Sequence, residues 1–247
     1  MLNKNGIIGF ILVIIILTLF LHPSLAGWVA VAIPISFAGM FILASYFGIT
    51  LNVISLFGMI IVIGILVDDG IVIAENIYQR YEKGEDPYNA AINGTMEVLP
   101  AVFSAILTTI VAFSLFFMLD GMLGDFFPEM GFVVIGTLIF SLIEGAFILP
   151  SHIAHSKALK GKEPNKIIKK ILDTSTKFLD KIKKKFYEPV LKFALKTPFT
   201  IILISICLLI ITISAMNASL IKSTVFPNIE GDNILVNLKF EAGSSEE

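Results

Sequence analysis

Two aspartates, Asp68 and Asp69, stand side by side within Val53 to Ala74, an apolar stretch in which Ser55 is the only other hydrogen-bonding side chain. A charged residue at the middle of a bilayer costs roughly 2.5 to 3.5 kcal/mol on insertion scales, so acids kept there carry a task. Carboxyl groups held away from bulk water can take a proton from one side of a membrane and give it to the other when their surroundings move. One charge moved through the membrane potential supplies about 2.3 kcal/mol per 100 mV, enough to bias a conformational cycle. The pair therefore points to a proton relay, with Gly64 and Gly70 beside it leaving room for close helix approach. No Lys or Arg falls between Lys4 and Arg80, between Lys83 and Lys157, or between Lys196 and Lys222. A cation to answer the acids must come from another segment or another chain.

The elements that position this pair follow from composition. Of 247 residues, 56% are hydrophobic and 15% charged, and mean hydropathy is +0.88, which excludes an ordinary soluble domain. Six apolar segments approach the roughly 20 residues a bilayer requires: Gly6 to Leu21, Trp28 to Phe47, Val53 to Tyr78, Leu99 to Leu119, Met130 to Leu149 and Phe199 to Met216. The expected fold is an all-α, polytopic transmembrane bundle. The first segment lacks the basic start and cleavage site of a secretory signal and is read as a retained span. The single cysteine, Cys207, permits no intrachain disulfide.

Thirteen of the eighteen Lys and Arg residues lie between Ser151 and Lys196, a block expected to face the cytoplasm. Alternating turns then place Gln79 to Asp86 inside, and Asp120 to Glu129 and both chain ends outside. Within the basic block, Ile167, Ile168, Ile171, Leu172, Phe178, Leu179, Ile182 and Phe186 recur at helical spacing with lysines opposite, predicting an amphipathic helix at the membrane surface and membrane lipid as its partner. Near the end, Ile234, Val236, Leu238 and Phe240 alternate as in a β-strand, whose sheet must lie elsewhere.

Other residues are weighed as secondary members of the relay. Glu75, seven residues beyond Asp68, and Asn76 could form a cytoplasmic proton exit, or could simply meet interfacial water at a helix end. Thr109, with Thr108, could bond the acids across helices or satisfy a carbonyl of its own helix. Glu144 could snorkel to the cytoplasmic surface or bond a neighbouring helix. His22, His152 and His155 stand at membrane edges without clustering, and Met118, Met122 and Met130 suit apolar packing better than a soft metal. The sequence holds no phosphate-binding glycine loop, zinc-spaced cysteines or nucleophile triad, so neither an enzyme, a metal site, a cofactor nor a nucleic-acid partner is expected. The proton-motive force is the expected energy source.

Gly48-Ile49-Thr50-Leu51-Asn52, then Ser55-Leu56, Gly58, Gly64-Ile65-Leu66-Val67-Asp68-Asp69-Gly70-Ile71-Val72 and Glu75-Asn76, closely resembles the fourth transmembrane helix of the resistance-nodulation-division (RND) efflux transporters, of the acriflavin-resistance, hydrophobe-amphiphile type. Pro34, Pro100, Thr108-Thr109, Ser141-Leu142-Ile143-Glu144, Pro150-Ser151-His152 and Phe226-Pro227-Asn228-Ile229-Glu230 extend the resemblance over nearly the whole chain.

The resemblance implies that residues 1–150 hold transmembrane helices two to six, 151–196 a cytoplasmic connector, 197–218 helix seven, and 219–247 the start of the second periplasmic porter domain. The first helix and the first periplasmic domain would then be missing. It further implies proton antiport that exports small amphiphilic or toxic compounds across the bacterial inner membrane, with both chain ends periplasmic. Asp68 and Asp69 would be answered by an intramembrane lysine of a missing second half, in a homotrimer joined to a periplasmic adaptor and an outer-membrane channel. Two alternatives are an RND-related accessory of protein secretion or lipid transport, and a truncated, non-functional product.

Overall fold

The computed structural model describes residues 2–160 and 166–220, the side chains of 2–7, 10 and 166–168 excepted. The chain divides after Ile182 into two units. The first contains α1 (Leu2–Phe20), α2 (Pro23–Phe47), α3 (Val53–Glu82), α4 (Pro87–Ser114), α5 (Gly121–Ile143), α6 (Leu149–Ala154) and α7 (Lys166–Ile182). The second contains α8 (Glu188–Lys196) and α9 (Pro198–Asn217). Among the described residues, five helical stretches are long and apolar enough to cross a membrane: Pro23–Phe47, Val53–Glu82, Pro87–Met118, Gly121–Ala154 and Pro198–Asn217. Within α1, Ile11–Phe20 adds a shorter apolar stretch. The described residues contain no strand, and the one expected around Ile234 to Phe240 lies outside them.

Local chemistry fixes the helix ends around the aspartates. Gly48, at φ 69°, closes α2 in the left-handed conformation that a glycine adopts at least cost. Asn52 caps α3: its Oδ1 accepts from the backbone N–H groups of Ile54 and Ser55, each at 2.9 Å, while the Asn52 N–H donates to Ser55 Oγ at 2.8 Å. Asp86 caps α4, with Pro87 supplying the preset φ of a first helical residue. Consequently α4 begins twelve residues before the apolar run that starts at Leu99. Likewise α5 begins at Gly121, so most of the expected outer loop forms its opening turns, and Glu129 there reaches back to α3. Thr50 Oγ1 donates to Glu129 Oε1 at 2.7 Å, and Asn52 Nδ2 donates to Glu129 Oε2.

Helix α3 is the hub, packing against α2, α4 and α5. Its buried positions Gly58, Val62, Leu66, Gly70, Ile73 and Ile77 recur every three to four residues and so form one face. At the α3–α4 crossing, a Cβ on Gly94 would sit 2.8 Å from Ile77 Cα, so the backbones approach more closely than any larger residue permits.

Between α5 and α6 the helix widens into a π-turn, Glu144–Ile148, in which the Leu149 N–H donates to the Glu144 carbonyl. Pro150, just beyond, lacks an N–H, and its ring would strike the carbonyl four residues back; the wider turn relieves both. The same arrangement recurs at Lys183–Tyr187 before Pro189.

Helix α7 lies beside α1 and leaves Ile171, Phe178, Leu179 and Ile182 exposed together with Lys170, Lys177 and Lys181. In the second unit, Lys192 pairs with Glu188 at 2.6 Å along α8, and no residue of α9 is buried.

Candidate functional site

Successive residues of an α-helix are rotated by roughly 100°, so two adjacent acids cannot share a face. Asp69 turns toward the α3–α4–α5 packing, and its Oδ2 is fully buried with no hydrogen-bond partner. Asp68 is exposed, about 100° round α3 from Asp69. There it lies in a stripe with Phe57 (58% exposed), Ile61 (44%), Gly64 and Val72 (46%), each one turn from the next. The two glycines beside the pair behave differently. A Cβ on Gly70 would stand 3.0 Å from Val29 Cγ1 of α2, whereas one on Gly64 would meet nothing within 4 Å. Close approach within this chain therefore occurs at Gly70, and Gly64 faces open space.

Asp69 lines a cavity of about 10 Å³, room for about one water molecule. Leu66, Gly70 and Ile73 contribute from α3, Leu99 and Val102 from α4, and Ser141 and Leu142 from α5. Glu144, the first residue of the π-turn, lines the same cavity and is only 4% exposed. It does not snorkel; it is enclosed.

The remaining candidates lie apart from this cavity. Glu75 accepts from Gln79 Nε2 at 3.4 Å on its own helix. Asn76 Nδ2 donates to the Gly94 carbonyl at 2.8 Å and to Glu97 Oε2 at 2.9 Å, tying α3 to α4. Arg80 extends this clasp, donating to Glu97 at 3.0 Å and to Glu85 at 2.6 Å. Thr109 Oγ1 donates at 3.0 Å to the Ala105 carbonyl of its own helix, as Thr108 does at 2.8 Å. Near one end of the bundle His152 stacks on Trp28 at 4.2 Å. Among the described residues no group of three or more His, Cys, Asp or Glu side chains could hold a metal ion.

Sequence reasoning missed the positioning roles of Glu129, Arg80 and Glu97. The Asp86-Pro87 pair, a helix-start signature, carried the signal that α4 begins early enough to bring Glu97 beside Arg80.

Comparison with known proteins agrees with the motif around the acids. The sequence pattern of the AcrB/AcrD/AcrF family matches residues 2–247. A multidrug resistance protein MdtC of Photorhabdus laumondii is 33% identical over 159 residues, which make up 64% of this chain and 15% of the relative. For an MdtC of Escherichia coli the figures are 34% over 149 residues, 60% and 14%. For an uncharacterized transporter of Haemophilus influenzae they are 32% over 151 residues, 61% and 14%. The chain thus spans a small part of the length of the curated relatives it matches. With a match running from residue 2 to residue 247, the chain belongs to the AcrB/AcrD/AcrF family of RND transporters.

Proposed function

We propose that this chain forms part of the membrane domain of a proton-driven efflux transporter, and that Asp68 and Asp69 take up and release the protons. The observation that carries this reading is the division of the pair across α3. One acid looks into a small cavity among α3, α4 and α5, and the other into an exposed apolar stripe. A carboxylate facing lipid is costly, so the stripe around Asp68 is a docking face for a helix that brings a cation. The intramembrane lysine of a second transmembrane half fills that role. Protonation of the pair weakens its hold on the cation, and the two halves shift against each other as protons bind and leave.

By this reading the transporter sits in the bacterial inner membrane, works as a homotrimer with a periplasmic adaptor and an outer-membrane channel, and exports small amphiphilic or toxic compounds by proton antiport. The names of the MdtC relatives support the substrate class. Helix α7 lies on the cytoplasmic surface, where each lysine near anionic headgroups contributes roughly 1 kcal/mol.

The test is substitution in the complete transporter. Asp68→Asn and Asp69→Asn each keep size and shape while removing the titrating group, so each abolishes proton-dependent export with expression and thermal unfolding unchanged. Export at the original rate in either variant refutes the relay.

A further inference from the structure

We propose that Glu144 and Asp69 form a two-carboxyl proton site, sharing one proton through a single water in the cavity between them. The inference rests on the relay reading above and extends it to a third acid, on a different helix. Glu144 enters from the π-turn and Asp69 from α3, and both line the same cavity of about 10 Å³. That volume accommodates about one water, which needs two or more polar partners to be held there. Asp69 Oδ2 is a buried atom with no hydrogen-bond partner among the described residues, and Glu144 is 96% buried. A buried polar group left in that condition costs free energy unless something in the cavity satisfies it.

The surroundings leave these acids to each other. Helix α4 contributes the apolar Leu99 and Val102, α5 contributes the Ser141 hydroxyl, and no Lys, Arg or His lines the cavity. Asp68, the nearest other acid, faces away. The transfer balances without any co-reactant: the Glu144 carboxyl gives its proton to the water, the water gives another to the Asp69 carboxylate, and the two groups exchange protonation states. The Ser141 hydroxyl can both accept and donate along that path. Glu144 faces inward because it continues the buried face of α5, three residues after Ser141 and seven after Thr137.

Difference infrared spectroscopy on the complete transporter in liposomes, taken through an acid titration, reads the carbonyl stretch of buried protonated carboxyls. The wild type shows bands from Asp69 and Glu144. Glu144→Gln loses one band and displaces the other, and Asp69→Asn does the converse. A purely structural role for Glu144 would not produce this mutual displacement. Glu144→Asp, which keeps the carboxyl, restores a coupled pair and guards against a glutamine variant that fails to fold. A spectrum unchanged by Glu144→Gln, or two bands that vanish independently without moving one another, overturns the proposal. Export separates this outcome from the relay reading. If Asp69→Asn stops export while the bands prove independent, only the shared site fails; if Asp69→Asn exports normally, the relay itself fails.

Discussion

Replacing Gly64 with leucine separates the folding of this half from its docking to another helix. In this chain a Cβ at Gly64 meets nothing within 4 Å, so the substitution creates no internal clash. It also gains helix propensity of about 1 kcal/mol, the usual penalty of an interior glycine. If a helix of the second half rests on the stripe of Phe57, Ile61, Gly64, Asp68 and Val72, the same leucine intrudes on a packed contact. Overpacking of that kind costs about 1 to 3 kcal/mol, which weakens docking by roughly 5- to 150-fold. Gly94→Ala is the opposite control, because its new Cβ would stand 2.8 Å from Ile77 Cα and 2.9 Å from Ile77 N, inside the bundle. Export from liposomes and thermal unfolding, both on the complete transporter, distinguish them. Gly64→Leu is expected to express normally and to lose most export, whereas Gly94→Ala lowers the unfolding temperature. Full export by Gly64→Leu would show that nothing docks on this stripe and would remove the reason for placing a cation beside Asp68.

Two further predictions concern the helix ends. Asn52→Ala removes the cap of α3 and a donor to Glu129, and a lost cap typically costs about 0.5 to 2 kcal/mol, so the unfolding temperature falls; because the two residues share a contact, its effect and that of Glu129→Gln are not additive. Asp86 lies between the membrane-spanning segments, and hydrogen bonds from the Asn89 backbone and side chain hold its carboxyl below the usual aspartate range. Its capping contribution is therefore present above that range and is lost as pH falls through the lowered value. Amide protection at Tyr88 and Asn89 is expected to drop with acid in the wild type and to become insensitive to pH in Asp86→Asn.

The spans and the acid pair were legible because hydropathy reports length and because an acid in an apolar helix stands out. The direction of each acid was not. In a soluble helix a polar face marks the phase, but α3 is apolar on both its buried and its exposed side, so nothing in the pattern distinguishes the stripe of Val62 and Leu66 from that of Phe57 and Ile61. Gly64 and Gly70 look equivalent in sequence for the same reason, although only Gly70 meets another helix of this chain. Glu144 was hidden by a second effect. Its distance from Pro150 suggested the membrane edge, but Glu144 falls on the same face of the helix as the buried Thr137 and Ser141 and so turns inward. The start of α4 was obscured by its polar opening turns, where Asn89, Asn93 and Glu97 depress hydropathy and only the Asp86-Pro87 cap marks the helix.

The placement of two acids in succession has a mechanical consequence. A single carboxyl on α3 would report to one neighbour, whereas residues offset by roughly 100° report to two. Asp69 borders the interior contact of α3 with α4 and α5, and Asp68 borders the exposed stripe. A proton arriving on one removes a like charge from beside the other and so lowers the cost of leaving that other acid ionised. If a helix docks on the stripe as proposed, packing on one side of α3 is linked to docking on the other without any movement of the helix backbone between them. Under this reasoning the order of the acids matters as much as their presence. Moving the outer carboxyl two turns back along the stripe, to Ile61, would keep it on the docking face but set it about 12 Å along the axis from Asp69, and coupling would be lost even though two intramembrane acids remain.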